Sequence, residues 1–236
     1  QQDFKKINIK NLPEIERYVL VKLYDLDSSI KSNLKNYNFH KTYKEVLNFC
    51  TLDLSSFYFD IRKDVLYCDE INSKKRKDCI VVLNIILECL LKWFAPIFVF
   101  TTEEIFSLVQ KSETSIHESL FPVIPQSWED IALKKKWENL YQIKQEVNIA
   151  IEEKRAKKEI GSSLEADIII HANEKEFNLL EDLDLEEYFI TSKAKKIKDE
   201  NKKLKVVVKK ASGTKCPRCW KILKIQCSRC EKAMSK

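Results

Sequence analysis

The stretch "IVVLNIILECLLKWFAPIFVF" (residues 80–100) is the most apolar run of this chain, and its length raises the question of a membrane span. Three polar residues interrupt it at a spacing of four: Asn84, Glu88 and Lys92. Residues at that spacing share one face of a helix, so the run forms an apolar rod with one narrow polar stripe. We therefore predict a helix in the core of a folded domain, and no membrane segment.

On both sides of this run, apolar residues recur at steps of three and four, which is the spacing of amphipathic helices. The predicted helices begin near residues 12, 39, 73, 101 and 127. The fourth start carries a capping-box pattern, with Thr101 followed three residues later by Glu104. Five helices with short connections predict an antiparallel bundle over residues 1–160.

The sequence pattern changes at Gly161. The segments "ADIIIHA" (166–172) and "KLKVVVKKA" (203–211) are typical of short strands, and an acidic helical stretch lies between them. We expect a small α/β unit over residues 161–212 and a cysteine-rich element over residues 213–236. The predicted fold class is therefore mainly α, with these two smaller parts after the helical bundle.

Composition argues against a self-contained nucleotide-binding enzyme. The chain has only two glycines among 236 residues, whereas phosphate-cradling loops need several to let the backbone approach the ligand. A net charge of +6 is compatible with a nucleic-acid partner. The first ten residues contain no apolar segment of a secretory signal, so we expect a reducing, cytoplasmic environment.

Four of the eight cysteines form the pattern C-x-x-C-x7-C-x-x-C near the end of the chain. They are Cys216, Cys219, Cys227 and Cys230. In a reducing compartment such pairs are typical of metal ligands rather than disulfides, and four thiolates suit one structural zinc ion per chain. Two disulfides or free thiols are the alternative. A catalytic zinc is disfavoured because four protein ligands leave no open coordination position.

Aromatic and basic residues occur within this cysteine pattern and near the end of the second predicted helix. Arg218 and Trp220 lie within the cysteine segment, while Tyr58, Arg62 and Lys63 lie at helical spacing near the end of that helix. Aromatic rings stack on unpaired bases and cations contact phosphates, so these five residues are candidate RNA contacts. The alternative for Trp220 is that its indole packs the zinc element onto a neighbouring part of the protein. The alternative for the helix end is that its aromatic residues belong to the core and that Arg62 and Lys63 are only solvated.

Several stretches together resemble the C-terminal half of bacterial isoleucyl-tRNA synthetases. In chain order they are "LSSFYFDIRKDVLYCD" (54–69), "LKWFAPIFVFTTEEIF" (91–106), "SIHESLFP" (115–122), "EKRAKKEIGSSLEA" (153–166), "KCPRCW" (215–220) and "CSRC" (227–230). The helical motifs are shared with the valyl relative, and the terminal cysteine pairs favour the isoleucyl family. The seven-residue spacer between those pairs is shorter than is usual for that family.

This resemblance implies an anticodon-binding bundle with a zinc-bearing end that approaches the anticodon loop of isoleucine-accepting tRNA. The HIGH and KMSKS signatures of ATP handling do not occur here, so we expect a monomeric fragment without catalysis of its own. The ATP-dependent ligation of isoleucine to tRNA would belong to a catalytic half of the same polypeptide. The alternative functions are a stand-alone zinc-containing RNA-binding module and a protein-interaction module.

Overall fold

The computed structural model describes residues 4–110, 114–199 and 203–234. The fold is mainly helical, with a small sheet region and a C-terminal cysteine cluster, as the sequence predicts. The described residues form two compact units, one within residues 1–60 and 72–131 and the other within residues 61–71 and 132–236. The division at residues 160 and 212 stays a prediction, since it rests on sequence pattern and not on contacts.

The helices of the first two-thirds of the chain follow the predicted order. They are α1 (Glu14–Lys35), α2 (Phe39–Asn48), α3 (Asp60–Cys68), α4 (Lys74–Phe94), α5 (Val99–Gln110) and α6 (Ile131–Ala156). A π-helix over Phe49–Phe59 connects α2 directly to α3, so the predicted second helix is continuous but more widely wound in its middle. The capping box expected at Thr101 is wrong, because α5 begins two residues earlier.

The apolar run at residues 80–100 forms most of α4, in the first unit. Ser73 caps this helix, as its Oγ accepts a hydrogen bond from the backbone N–H of Arg76 at 3.2 Å. The helix ends at Phe94. Ala95 still has helical backbone angles, but Pro96 has no N–H with which to continue the helical hydrogen bonds.

Side chains of α4 form much of the core of the first unit. Trp93 is fully buried, and its indole Nε1–H donates to Asp27 Oδ1 on α1 at 3.3 Å. From the polar stripe, Lys92 is buried and forms an ion pair with Glu88 at 2.6 Å. Among the described helices, none combines the length and the apolar character that a membrane crossing requires.

The second unit contains a three-stranded sheet beside α6. Strand β1 (Ala166–Ala172) lies in the middle, parallel to β2 (Lys193–Lys198) and antiparallel to β3 (Lys205–Lys210). Helices α7 (Glu174–Leu179) and α8 (Leu185–Tyr188) lie between β1 and β2 in sequence. The sequence pattern predicted β1 and β3. It missed β2, because the segment "KAKKIK" is dominated by lysine.

Helix α6 buries an apolar stripe within this second unit. Its buried apolar side chains recur at steps of three and four, and they are Leu133, Trp137, Leu140, Ile143, Val147 and Ile151. The ring of Trp137 contacts that of Tyr188 edge to face at 5.6 Å between centroids, and Lys144 Nζ donates to the carbonyl oxygen of Tyr188. These contacts fix α6 to the end of α8.

Candidate metal and nucleic-acid site

The cysteine-rich element is a short hairpin followed by a helix. Strands β4 (Thr214–Lys215) and β5 (Ile222–Leu223) pair antiparallel, and α9 (Ser228–Met234) follows them. Gly213 enters this hairpin at a φ of 139°, and a Cβ at that position would lie 2.2 Å from the carbonyl oxygen of Leu223. Only glycine fits there, because every other residue adds that carbon and strains the backbone.

The hairpin and α9 bring the four predicted ligand residues together. The Sγ atoms of Cys216, Cys219, Cys227 and Cys230 all lie within 4.8 Å of one another, and those of Cys219 and Cys227 are 3.8 Å apart. Four sulfurs about 2.3 Å from a tetrahedral zinc ion are about 3.8 Å from each other. A disulfide needs about 2.05 Å, and all four residues are free thiols. The donor set therefore fits one tetrahedral metal ion.

Burial and crowding keep two of the four thiols, Cys219 and Cys230, from ionising without a cation. Burial raises the pKa of Cys219 to about 11, and burial together with the neighbouring thiols also raises that of Cys230. Burial acts the same way on Cys216, but backbone hydrogen bonds from Cys219 and Arg218 outweigh it and lower the pKa to about 7. A divalent ion supplies the positive charge with which all four can become thiolates.

Arg218 attaches the first cysteine turn to the C-terminal end of α3. Its guanidinium donates from Nη1 to the carbonyl oxygen of Cys68 and from Nη2 to that of Tyr67, each at 2.9 Å. Carbonyls in the last turn of a helix have no partner within the helix and form the negative end of its dipole. Arg218 satisfies two of them with a delocalised cation.

Arg229, on α9, makes a second attachment to the same helix. Its Nη2 donates to the carbonyl oxygen of Asp64 at 2.9 Å. Its Nε lies 3.0 Å from the Asp69 carboxylate, an ion pair without the alignment of a hydrogen bond. The two arginines thus hold the cysteine element to α3 at two separate points.

Two participants in this arrangement were missed at the level of sequence. Cys68 is buried against the four cysteines, and its Sγ lies 3.9 Å from the carbonyl oxygen of Arg218. Arg229 has no sequence pattern that distinguishes it from the other basic residues of the segment. The contacts join residues 150 and 165 positions apart, and no local pattern indicates them.

Trp220 directs its indole to solvent beside the thiol cluster. The residue is 60% exposed and has a φ of 63°, which is uncommon for a bulky side chain. Its backbone N–H donates to the carbonyl oxygen of Cys216 at 3.0 Å, and the Nζ of Lys215 lies 5.6 Å from the ring centroid. The cysteine turn therefore imposes the backbone conformation that exposes the ring.

The other three predicted RNA contacts have different surroundings. Tyr58 is fully buried, with its hydroxyl 3.2 Å from Glu16 Oε1. Arg62 is buried in an ion pair with Glu187 at 2.5 Å. Stacking needs an accessible ring and phosphate contact needs an accessible cation, so an RNA contact by Tyr58 or Arg62 does not agree with this structure. Lys63 is exposed.

Comparison with known proteins relates this chain to tRNA ligases. The family model described as "Anticodon-binding domain of tRNA ligase" matches residues 16–170. The isoleucine–tRNA ligase of Pelagibacter ubique (strain HTCC1062) is 54% identical over 227 residues, which are 96% of this chain and 25% of that relative. The isoleucine–tRNA ligases of Agrobacterium fabrum (strain C58) and Methylacidiphilum infernorum (isolate V4) are 38% and 40% identical, over 92% and 89% of this chain.

The chain spans about a quarter of the length of the curated relatives that it matches, with 24% and 23% for the latter two. The resemblance stated from the sequence is confirmed by these matches. The family model covers more than half of the chain, from α1 to the strand β1. This chain therefore belongs to the anticodon-binding domain family of tRNA ligases.

Proposed function

We propose that this chain binds the anticodon region of isoleucine-accepting tRNA and orients that tRNA for a catalytic part of the same cytoplasmic protein. That part would join isoleucine to the tRNA with ATP, a reaction that the chain does not perform alone. The single observation that carries this proposal is the exposed indole of Trp220 beside the thiol cluster, within a chain of the anticodon-binding family.

We further propose that one structural zinc ion per chain is held by Cys216, Cys219, Cys227 and Cys230. Bound there, zinc supplies charge neutralisation and a rigid link between the two cysteine turns. Zinc suits the donor set because it accepts four thiolates and has no redox chemistry of its own. The turn that positions Trp220 begins at the ligand Cys216, and Trp220 directly follows the ligand Cys219. The conformation of this turn would therefore depend on the link through zinc.

Anticodon bases are unpaired, so they can turn outward and stack on an aromatic ring. Trp220 supplies such a ring, and Lys63, whose side chain is exposed, would contact a phosphate. Arg218 serves this site indirectly, because two of its nitrogens donate to protein carbonyls. It would orient the cysteine turn and with it the indole.

The proposal is tested by titrating the purified chain with isoleucine-accepting tRNA and with one non-cognate tRNA, each at two salt concentrations. We expect tighter binding of the cognate tRNA, and affinity that falls as salt rises because phosphate contacts release counterions. Binding of neither tRNA would contradict the proposal and would favour the protein-interaction alternative. Equal binding of both would restrict the function to general RNA binding.

A further inference from the structure

One face of the three-stranded sheet carries its side chains away from the core of the second unit. Side chains of a strand alternate between the two faces of a sheet. In β1 the residues on the covered face are fully buried, and they are Ala166, Ile168, Ile170 and Ala172. Asp167, Ile169 and His171 alternate with them on the opposite face and are only half-buried.

Strand register places four exposed lysines on that opposite face. Lys193 and Lys195 of β2 lie beside Asp167 and Ile169, while Lys209 and Lys205 of β3 lie beside Asp167 and His171. We call Lys193, Lys195, Lys205 and Lys209 the lysine face. Neighbouring strands are about 4.8 Å apart, so β2 and β3 are separated by about 10 Å, with alternate residues about 7 Å apart along each strand.

Positive charge dominates this face. Asp167 is the only carboxylate among its strand residues, and none of the four lysines has an ion-pair partner in the described part of the chain. On the covered side, by contrast, Lys198 pairs with Glu174 of α7 at 2.8 Å. Like charges close together on a sheet face are destabilising, and an anionic partner relieves that repulsion.

We propose that the lysine face binds the phosphodiester backbone of a duplex stem of the tRNA, as a surface separate from the thiol cluster. This inference rests on the proposed tRNA-binding function. The centre of the face is aliphatic, with Ile169, Val207 and Ile197, and these three strands place no Phe, Tyr or Trp on it. Its one imidazole, that of His171, faces a carboxylate, with Nδ1 3.5 Å from Asp199 Oδ2. Unpaired RNA is held largely by stacking on aromatic side chains, whereas duplex RNA is recognised by shape and by contacts to phosphates and 2′-hydroxyls.

Two double variants with the same charge change form a matched test. Lys195→Ala with Lys209→Ala removes two cations of the lysine face. Lys198→Ala with Lys210→Ala removes two cations of the same strands on the other side, where Lys210 lies opposite the buried Ala166. Circular dichroism and metal content of both variants verify that the fold is retained.

The measurement is the affinity for isoleucine-accepting tRNA as a function of salt. We expect the Lys195/Lys209 variant to bind more weakly and to reduce the log–log salt slope by about 1.4 to 1.8, since each phosphate contact contributes roughly 0.7 to 0.9. The Lys198/Lys210 variant should keep the slope of the wild-type chain. Equal losses in both variants would show a net-charge effect and overturn the inference.

A second arm separates duplex from unpaired RNA. The same variants are titrated with a blunt-ended RNA duplex and with an oligouridine that carries the same number of phosphates. We expect the Lys195/Lys209 loss to be larger with the duplex, and an equal loss with oligouridine would overturn the duplex assignment. If the wild-type chain binds no tRNA, the proposed function fails as well. If it binds tRNA through Trp220 while both lysine variants bind normally, only this inference fails.

Discussion

The guanidinium of Arg218 donates a hydrogen bond to the carbonyl oxygen of Cys68 at 2.9 Å, across 150 positions of sequence. A second bond, to the carbonyl of Tyr67, has the same length. The most basic residue of the first cysteine turn is therefore engaged with the end of α3. Because its guanidinium is bound to protein carbonyls, we expect substitution of Arg218 to affect the attachment of the cysteine element and not a phosphate contact.

Arg218→Ala should loosen the cysteine element without changing the salt dependence of tRNA binding. Hydrogen bonds from a charged group each contribute about 1.5–3 kcal/mol, so the opening free energy of the element should fall by about that amount or more. Hydrogen exchange of the amides in residues 214–234 measures it. Lys224→Ala is the control, since Lys224 is an exposed cation of the same segment. A flatter salt slope in Arg218→Ala alone would show that Arg218 contacts phosphate instead.

Removal of the metal should disorder the cysteine element and spare the helices of the first unit. Metal binding at four-thiolate sites is coupled to local folding and is worth on the order of 10–16 kcal/mol in small peptides. We expect elemental analysis to find one zinc per chain, and Cys227→Ser to lose it. Cys50→Ser, outside the thiol cluster, should retain it. Loss of most of the helical circular dichroism on chelation would contradict this expectation.

The only two glycines of the chain offer a matched pair of substitutions. Gly213→Ala forces a Cβ to within 2.2 Å of the Leu223 carbonyl at a φ of 139°, so β4 and β5 must separate. A strained backbone alone costs about 1–3 kcal/mol, and zinc affinity in a competition with a chelator should fall at least accordingly. At Gly161 the added Cβ meets only the flexible Glu165 side chain at 3.2 Å, so Gly161→Ala should keep its zinc affinity. Equal effects at both positions would refute this account of Gly213.

Trp220→Ala should weaken binding of isoleucine-accepting tRNA with little change in salt slope. A base stacked on an aromatic ring is worth about 1–3 kcal/mol, which is about 5- to 150-fold in affinity. Tyr37→Ala is a control, because that ring is 82% exposed and belongs to the first unit, whereas the thiol cluster belongs to the second. Unchanged affinity in Trp220→Ala, with zinc content retained, would show that the indole does not contact the RNA.

Asp27→Asn should stabilise the first unit increasingly as pH rises. Burial raises the pKa of Asp27 above its ordinary value near 3.8 and outweighs the opposing effects of Lys31 and Trp93. The protonated acid is thus favoured in the folded state, and its contribution, complete below about pH 3.8, is lost as pH rises through the raised pKa. Denaturant unfolding of both proteins between pH 4 and 7 gives the difference in unfolding free energy. A difference that shrinks towards neutral pH would contradict this sign.

Local sequence pattern determined the helical class, the start of α4 at Ser73, the strands β1 and β3 and the grouping of the four cysteines. Each of these features depends on residues close together in the chain: apolar steps of three or four, a capping side chain, or a C-x-x-C turn. Local sequence pattern did not predict β2, because this edge strand is rich in lysine and has few of the apolar residues typical of strands. Its strand character comes from pairing with β1, which lies more than twenty positions away.

Tertiary structure alone decided which candidate residues are accessible. Tyr58 and Arg62 have the composition of an RNA-binding helix end, yet packing buries both, and Arg62 faces Glu187 from 125 positions away. Trp220 and Arg218 are two residues apart, yet their side chains have different surroundings. The positive φ of Trp220 exposes its ring, whereas the guanidinium of Arg218 donates hydrogen bonds to carbonyl oxygens of α3. Burial and long-range hydrogen bonds depend on the three-dimensional neighbours of a residue, and a sequence pattern shows only its neighbours along the chain.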